Sequence, residues 1–424
     1  MIGPAPDPRE AASPPSPIKV PVAPRFSPVY DGRTLNMGVG TGADLCADGP
    51  MVRGASRQIT SPMPLGGADS TTAGASLRPD CRCPRVGFFL RPNPSMQRNK
   101  ETVISAVLIL VSLALSAGAA EVILRLKNSS MTNYDIEMWR YAKELKQRSD
   151  DPEIDFDHVR SKSAVLQSIA IRINEWGLRG GPVTPTPPGG RRILFLGGSI
   201  TLGWGVPEEA TVEARLERML RASGEEAQVL NGGIGNYNAE RYVARFFKEL
   251  TALHPTDIVV HYFLRDAEDL EAGNTNFLLR HSELAVTLWI AYHRLYDRSG
   301  EGALVEHYRN AYEPGSRGFA KMSRSLGRLA DYAKERGIRI YLAMVPDVHN
   351  LINYDFRFVH EAMRRVSDQE GYTYVDLLPA LQGRPAKELA AMPGDPHPNA
   401  LGHELMADAI FPILTRHDKS AIGQ

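Results

Sequence analysis

The chain has 424 residues, 43% of them hydrophobic and 23% charged, a globular balance that excludes a wholly disordered or fibrous protein. Lysine plus arginine equal aspartate plus glutamate at 49 each, so the chain offers no global cationic field to nucleic acid. The three cysteines, Cys46, Cys81 and Cys83, all lie early, so the chain beyond them uses neither a disulfide nor a thiolate metal site.

Residues 1–95 hold 16 of the 31 prolines and 11 of the 37 glycines. Such a segment buries too little apolar surface to fold. It reads either as a disordered tail or as sequence upstream of a true start at Met96. A short basic stretch follows Met96, and then Val103 to Ala120 runs without a charge. This is the pattern of an export signal, expected over residues 96–127 as a signal anchor or a cleavable signal peptide. Ala117-Gly118-Ala119 offers a cleavage site, whereas the apolar run after Glu121 continues the helix and favours the anchor. Residues 128–190 are polar and mixed, and read as a stalk and lead-in segment. Within them Asn128-Ser129-Ser130 fits a glycosylation sequon.

The regular part, residues 191–416, opens with the continuous apolar run Ile193 to Leu196, the signature of a strand buried on both faces of a parallel sheet. Helical patterns near 208–222, 238–253, 317–336, 355–369 and 400–415 alternate with strands ending at Asn231 and spanning 258–264, 338–345 and 372–378. Repeated strand–helix units predict a parallel sheet with helices on both faces. The stretch Leu284 to Tyr292 is too short to cross a bilayer. It reads as a core or lid helix, with a lip over the cleft or a membrane-surface contact as the functional alternative.

In such a sheet, ligands bind beyond the carboxyl ends of the strands. There the sequence places Gly197-Gly198-Ser199, Asn231-Gly232-Gly233, Arg265-Asp266 and, before the last helix, Asp395-Pro396-His397. A serine becomes a nucleophile when an imidazole takes its proton and a carboxylate fixes that imidazole's tautomer. Backbone amides of a glycine turn can face a developing oxyanion because no side chain blocks them. Each piece alone has a plainer reading: a serine after two glycines is more often a helix cap, and Asp-x-His is more often surface chemistry. Their joint occurrence at the strand ends carries the weight. His261, inside a strand, reads as a core histidine, His403 as a packing or capping residue, and Asp266 to Glu271 as an acidic run that caps a helix or is solvated.

Over roughly residues 170–415 these blocks resemble the GDSL/SGNH hydrolases. Gly197-Gly198-Ser199-Ile200-Thr201-Leu202-Gly203 is similar to that family's first block, with Gly198 where Asp is usual. Asn231-Gly232-Gly233 matches the second block, and Asp395, His397, Pro398-Asn399 and Gly402-His403 match the last, with Asp-x-His where many members have Asp-x-x-His. The resemblance implies a flavodoxin-like three-layer α/β/α sandwich and a serine esterase with Ser199 as nucleophile, His397 as base and Asp395 as orienting acid. It implies the Ser199 and Gly233 amides as oxyanion donors, and no metal or organic cofactor. The family's Asn-Asp after the third strand is Arg265-Asp266 here, so the guanidinium replaces the amide donor, Asn236 substitutes for it, or the two amides suffice while Arg265 turns outward and pairs with Glu268 or Asp269. Asn174 to Gly180 and the anchor ending near Arg125 resemble bacterial membrane-tethered members. The expected substrate is an O-acyl ester, on polysaccharide or on lipid. The alternatives are an O-acyltransferase with the same triad and a catalytically silent carbohydrate-binding domain. A periplasmic location on a single-pass anchor is expected, or secretion if the signal is cleaved.

Overall fold

The computed structural model describes residues 94–131, 133–185, 189–270, 277–296, 301–392 and 397–416. The expectations for residues 1–93, including the three cysteines, lie outside the described residues.

A helix Pro94–Asn128 begins the described chain. Within it Asn99–Asn128 has a mean hydropathy of 2.4 over its apolar window, which makes it long and apolar enough to cross a membrane. Its last residues, from Ala119 onward, belong to the same compact unit as the remainder of the chain. Asn128 of the sequon is buried in the helix end, and its amide donates to Glu283 Oε2 at 2.8 Å.

Residues 128–190 are not the stalk expected from their mixed polarity. They form helix Tyr134–Leu145 and two antiparallel hairpins, β1 (Lys146–Arg148) with β2 (Phe156–His158) and β3 (Lys162–Leu166) with β4 (Ile169–Ile173). Asn133 caps the helix by accepting from the Ile136 amide. Met138, Tyr141 and Leu145 from the helix meet Leu166, Ile171 and Ile173 from the hairpin. Leu202 and Trp204, which follow the first central strand, complete this cluster. The apolar residues were legible, but they are spread over short elements with no long period, and their partners lie far along the chain.

The central sheet has five parallel strands: β5 (Arg191–Gly197), β6 (Ala227–Asn231), β7 (Asp257–Tyr262), β8 (Arg339–Met344) and β9 (Thr373–Asp376). Their order is β6-β5-β7-β8-β9. Ile193 to Leu196 and Ile258 to Val260 are fully buried, as continuous apolar runs in a doubly covered sheet require. Helices Val212–Ala222 and Ala400–Thr415 pack together on one face, and helices Ala239–Lys248, Arg317–Arg336 and Arg357–Glu370 follow one another on the other. This is a three-layer α/β/α sandwich. The strand order reverses at β5, which opens a crevice at the carboxyl ends of β5, β6 and β7.

Candidate active site

Ser199 begins a four-residue helix directly after β5, with Gly198 at its cap position. The turn after it is held from behind. Gly203 ends the short helix at φ +74°, a left-handed conformation that glycine adopts without strain. There the buried Arg179 donates to the carbonyl oxygens of Leu202, Gly203 and Val206 at 2.5, 2.6 and 2.6 Å. Burial lowers the Arg179 pKa to about 10, opposed by the nearby Glu213, Glu208 and Glu209. One planar fork thus fixes the loop that carries the serine.

His397 precedes the final helix, whose cap is Asn399, accepting from the Leu401 and Gly402 amides. The His397 ring is 4% exposed, and its Nε2 lies 2.6 Å from Ser199 Oγ. Tyr134 stands beside it, with ring centroids 5.9 Å apart. Asp395 lies outside the described residues.

The expectation for Gly233 meets a different geometry. Its amide donates to Asn231 Oδ1 at 3.0 Å, and the Asn231 amide in turn donates to the Thr201 carbonyl at 2.6 Å. A Cβ on Gly233 would sit 2.2 Å from the Leu202 nitrogen. Gly233 is therefore a close-approach glycine that lets the second turn pack against the serine helix, and its amide is already engaged. Asn236, at φ +66°, and Tyr237 are the residues of that turn that line the cavity. The lead-in segment shapes this turn as well: the Gly235 amide donates to Tyr141 Oη at 3.0 Å, and Lys146 Nζ donates to the Gly235 carbonyl at 2.7 Å.

The cavity around Ser199 and His397 is walled by Tyr134, Asn236, Arg265, Glu268, Tyr308 and Asp347, among others. Arg265 lies in the short turn after β7 and pairs with Glu268, Nη2 to Oε2, at 3.1 Å. Tyr308 also donates to Glu268, at 2.8 Å. Burial alone would raise the Glu268 pKa, but Arg265, His307 and Tyr308 together hold it down at about 2. Of the acidic run, Asp266 and Glu268 are accordingly embedded, whereas Asp269 is exposed. Asp266 is buried and accepts from the Phe263 amide and the Tyr242 hydroxyl, and burial raises its pKa to about 8. Asp269 pairs with Arg317 and Lys321.

His261 is buried in β7 and also lines the cavity, and burial lowers its pKa to about 3. Its Nε2 has no hydrogen-bond partner among the described residues, so it is a core histidine but not a satisfied one. His403 Nδ1 accepts from the Val212 amide at 3.2 Å and so caps helix Val212–Ala222.

Sequence reasoning missed Tyr134, Asp347, Tyr308 and the clamp Arg179. Asp347 was within reach, because it follows β8 in the strand-end position, and Asp347-Val-His349 repeats the spacing of Asp395-Pro-His397. Tyr134 gave no signal, since it comes from the segment read as a stalk.

A family model described as the GDSL-like Lipase/Acylhydrolase family matches residues 195–405. Among solved structures, the chain is similar to an acetylxylan esterase from Geobacillus stearothermophilus, with 16% identity and a TM-score of 0.36, covering 55% of this chain and 97% of that one. It is also similar to the psychrotrophic esterase EstA from Pseudoalteromonas sp., with 14% identity and a TM-score of 0.34, covering 54% of this chain and 99% of that one. No curated protein matches the chain at a significant level.

Proposed function

Because residues 195–405 belong to the GDSL-like lipase and acylhydrolase family, the chain is an ester-bond hydrolase, and we propose that it is a membrane-tethered, extracytoplasmic serine esterase acting on O-acyl esters of polyhydroxylated, carbohydrate-like alcohols. The observation that carries the reading is the 2.6 Å contact between His397 Nε2 and Ser199 Oγ on the cavity floor. In the proposed reaction His397 takes the Ser199 proton as Oγ attacks the ester carbonyl. The Ser199 amide and Asn236 receive the oxyanion. The alcohol leaves with the proton from His397, and water, activated by the same imidazole, releases the acid. Asp395, two residues before His397, is assigned the orienting role on its sequence position.

The charged and amide side chains set into an otherwise apolar wall support a hydroxyl-rich alcohol over a lipid: Arg265, Glu268, Asp347 and Asn236 offer both donors and acceptors between Tyr134 and Tyr308. The apolar helix Asn99–Asn128 supports the tether. A serine-directed fluorophosphonate tests the nucleophile on the full chain. Labelling of the wild type and none of Ser199→Ala is expected, and equal labelling of both would discard the assignment. A panel of acetylated sugars and long-chain acylglycerols tests the alcohol; faster turnover of the acylglycerols would overturn the carbohydrate reading.

A further inference from the structure

Between Leu270 and Leu304, which both line the cavity, the chain makes an excursion that the sandwich does not need. Its described part includes the short helix Phe277–His281, the helix Glu283–Tyr296 and the start of helix Glu301–Ala311. The second helix is two-faced. Val286 is buried, whereas Leu288, Tyr292 and Leu295, at positions i, i+4 and i+7, are 60, 56 and 80% exposed. Phe277 and Leu278 before it are exposed too. Five large apolar side chains in one short excursion form a patch of the kind that marks an interaction surface.

The end of the long apolar helix holds this excursion in place. Glu121 accepts from the Glu283 and Leu284 amides and from the Ser282 hydroxyl, at 3.0, 2.9 and 2.9 Å. A carboxylate from one helix thus caps the first turn of another, where it also meets the positive end of the helix dipole. Arg125 donates to the His281 carbonyl at 3.2 Å, and Asn128 to Glu283. From the other side Trp139 donates to the Leu279 carbonyl at 2.6 Å. Val122, Ile123 and Leu126 on the long helix are exposed as well, so the two apolar surfaces belong to elements bonded to each other. Arg125, Lys127 and Arg280 supply positive charge around them, against Glu121 and Glu283.

We infer that Phe277–Tyr296 is a membrane-surface foot, whose apolar face enters the headgroup region of a bilayer while its basic residues meet anionic lipid. The inference rests on the tether reading, because Glu121, Arg125 and Asn128 bring the foot to the end of the helix taken to cross the membrane. It commits to lipid as the occupant: a helix capped by the exit end of a span sits at the height of the interface, where aromatic and basic side chains are favoured.

The test uses the full chain in vesicles of phosphatidylcholine with phosphatidylglycerol, including a lipid with a photoactivatable diazirine near its headgroup. Peptides carrying lipid adducts are mapped by mass spectrometry. Adducts are expected in residues 99–128 and in residues 277–296. Adducts in 99–128 alone would overturn the foot and leave the tether standing; adducts in neither would remove the tether and the foot with it. The triple variant Leu288→Glu, Tyr292→Glu, Leu295→Glu should lose adducts in the foot by about tenfold while keeping those in 99–128 and the turnover of a soluble ester. Unchanged adducts in that variant would overturn the inference. Adducts in the foot equal with and without phosphatidylglycerol would overturn its anionic-lipid component.

Discussion

Arg265 and Glu268 face each other inside the cavity wall, 3.1 Å apart, with the Glu268 side chain only 9% exposed. An arginine stands where the family pattern places an asparagine donor, and its guanidinium is tied to a carboxylate. Arg265→Ala leaves that carboxylate with Tyr308 and His307. The loss of stability should fall at about 1–3 kcal/mol, between the values of exposed and buried pairs. KM should rise as the wall loosens, while kcat stays within about tenfold. Steady-state kinetics with thermal melts decide the matter: a fall of about 10²–10³ in kcat at constant KM would make Arg265 an oxyanion donor instead.

The Ser199 and His397 pair should behave as a unit. Ser199→Ala and His397→Ala should each lower turnover by about three orders of magnitude or more, and the double variant should add little. Multiplying effects in the double variant would show that the two residues act independently.

Glu268 also predicts a direction for acid stability. Its pKa in the folded chain is about 2, below the ordinary glutamate value of about 4.3. The folded state thus binds fewer protons than the unfolded state between these values, so the stabilisation is present above pH 4.3 and is lost as the pH falls through 2. The amount is at most about 3 kcal/mol. Glu268→Gln should flatten unfolding free energy against pH over that window. A slope equal to that of the wild type would assign the acid sensitivity to other carboxylates.

Arg179 is a positioning residue, since it touches three carbonyl oxygens behind Ser199 rather than the cavity. Arg179→Lys keeps the charge but loses the planar fork. The melting temperature should fall, and kcat should drop by about tenfold or more with little change in KM, because misplacing the proposed nucleophile harms the reaction more than binding. A variant with a lower melting temperature and an unaltered kcat would leave Arg179 a purely structural role.

Gly233→Ala should be strongly destabilising, because its new methyl group would meet the backbone of Leu202 and Thr201 at 2.2 and 2.6 Å. Soluble, stable Gly233→Ala protein would show that the second turn can move away from the serine helix.

The sheet was legible because Ile193 to Leu196 and Ile258 to Val260 are unbroken apolar runs, and a residue buried on both sides needs no further context. Ser199, His397 and Arg265 were legible as positions, since the crevice forms where strands end. So was the pairing of Ser199 with His397, which the resemblance implies and which stands at 2.6 Å. That the Gly233 amide is taken by Asn231, and that Arg265 meets Glu268 rather than Asp269 or an oxyanion, depends on side-chain geometry within a few residues, which no period encodes. Tyr134 and Arg179 escaped for another reason. Their partners lie far downstream, and a short amphipathic segment looks the same in sequence whether it is solvated or docked.

The docking of the lead-in has a consequence for how the chain assembles. Trp139 waits for Leu279, 140 residues later; Arg191 for the Leu414 carbonyl, 223 residues later; and Ser199 for His397, 198 residues later. The earliest parts of the domain are therefore the last to be completed, and loop-closure entropy must be overcome before any of these contacts rewards it. A nascent chain stopped anywhere before residue 397 carries a serine without its imidazole. The contact on which the proposed chemistry rests therefore depends on the last stretch of the domain to be made.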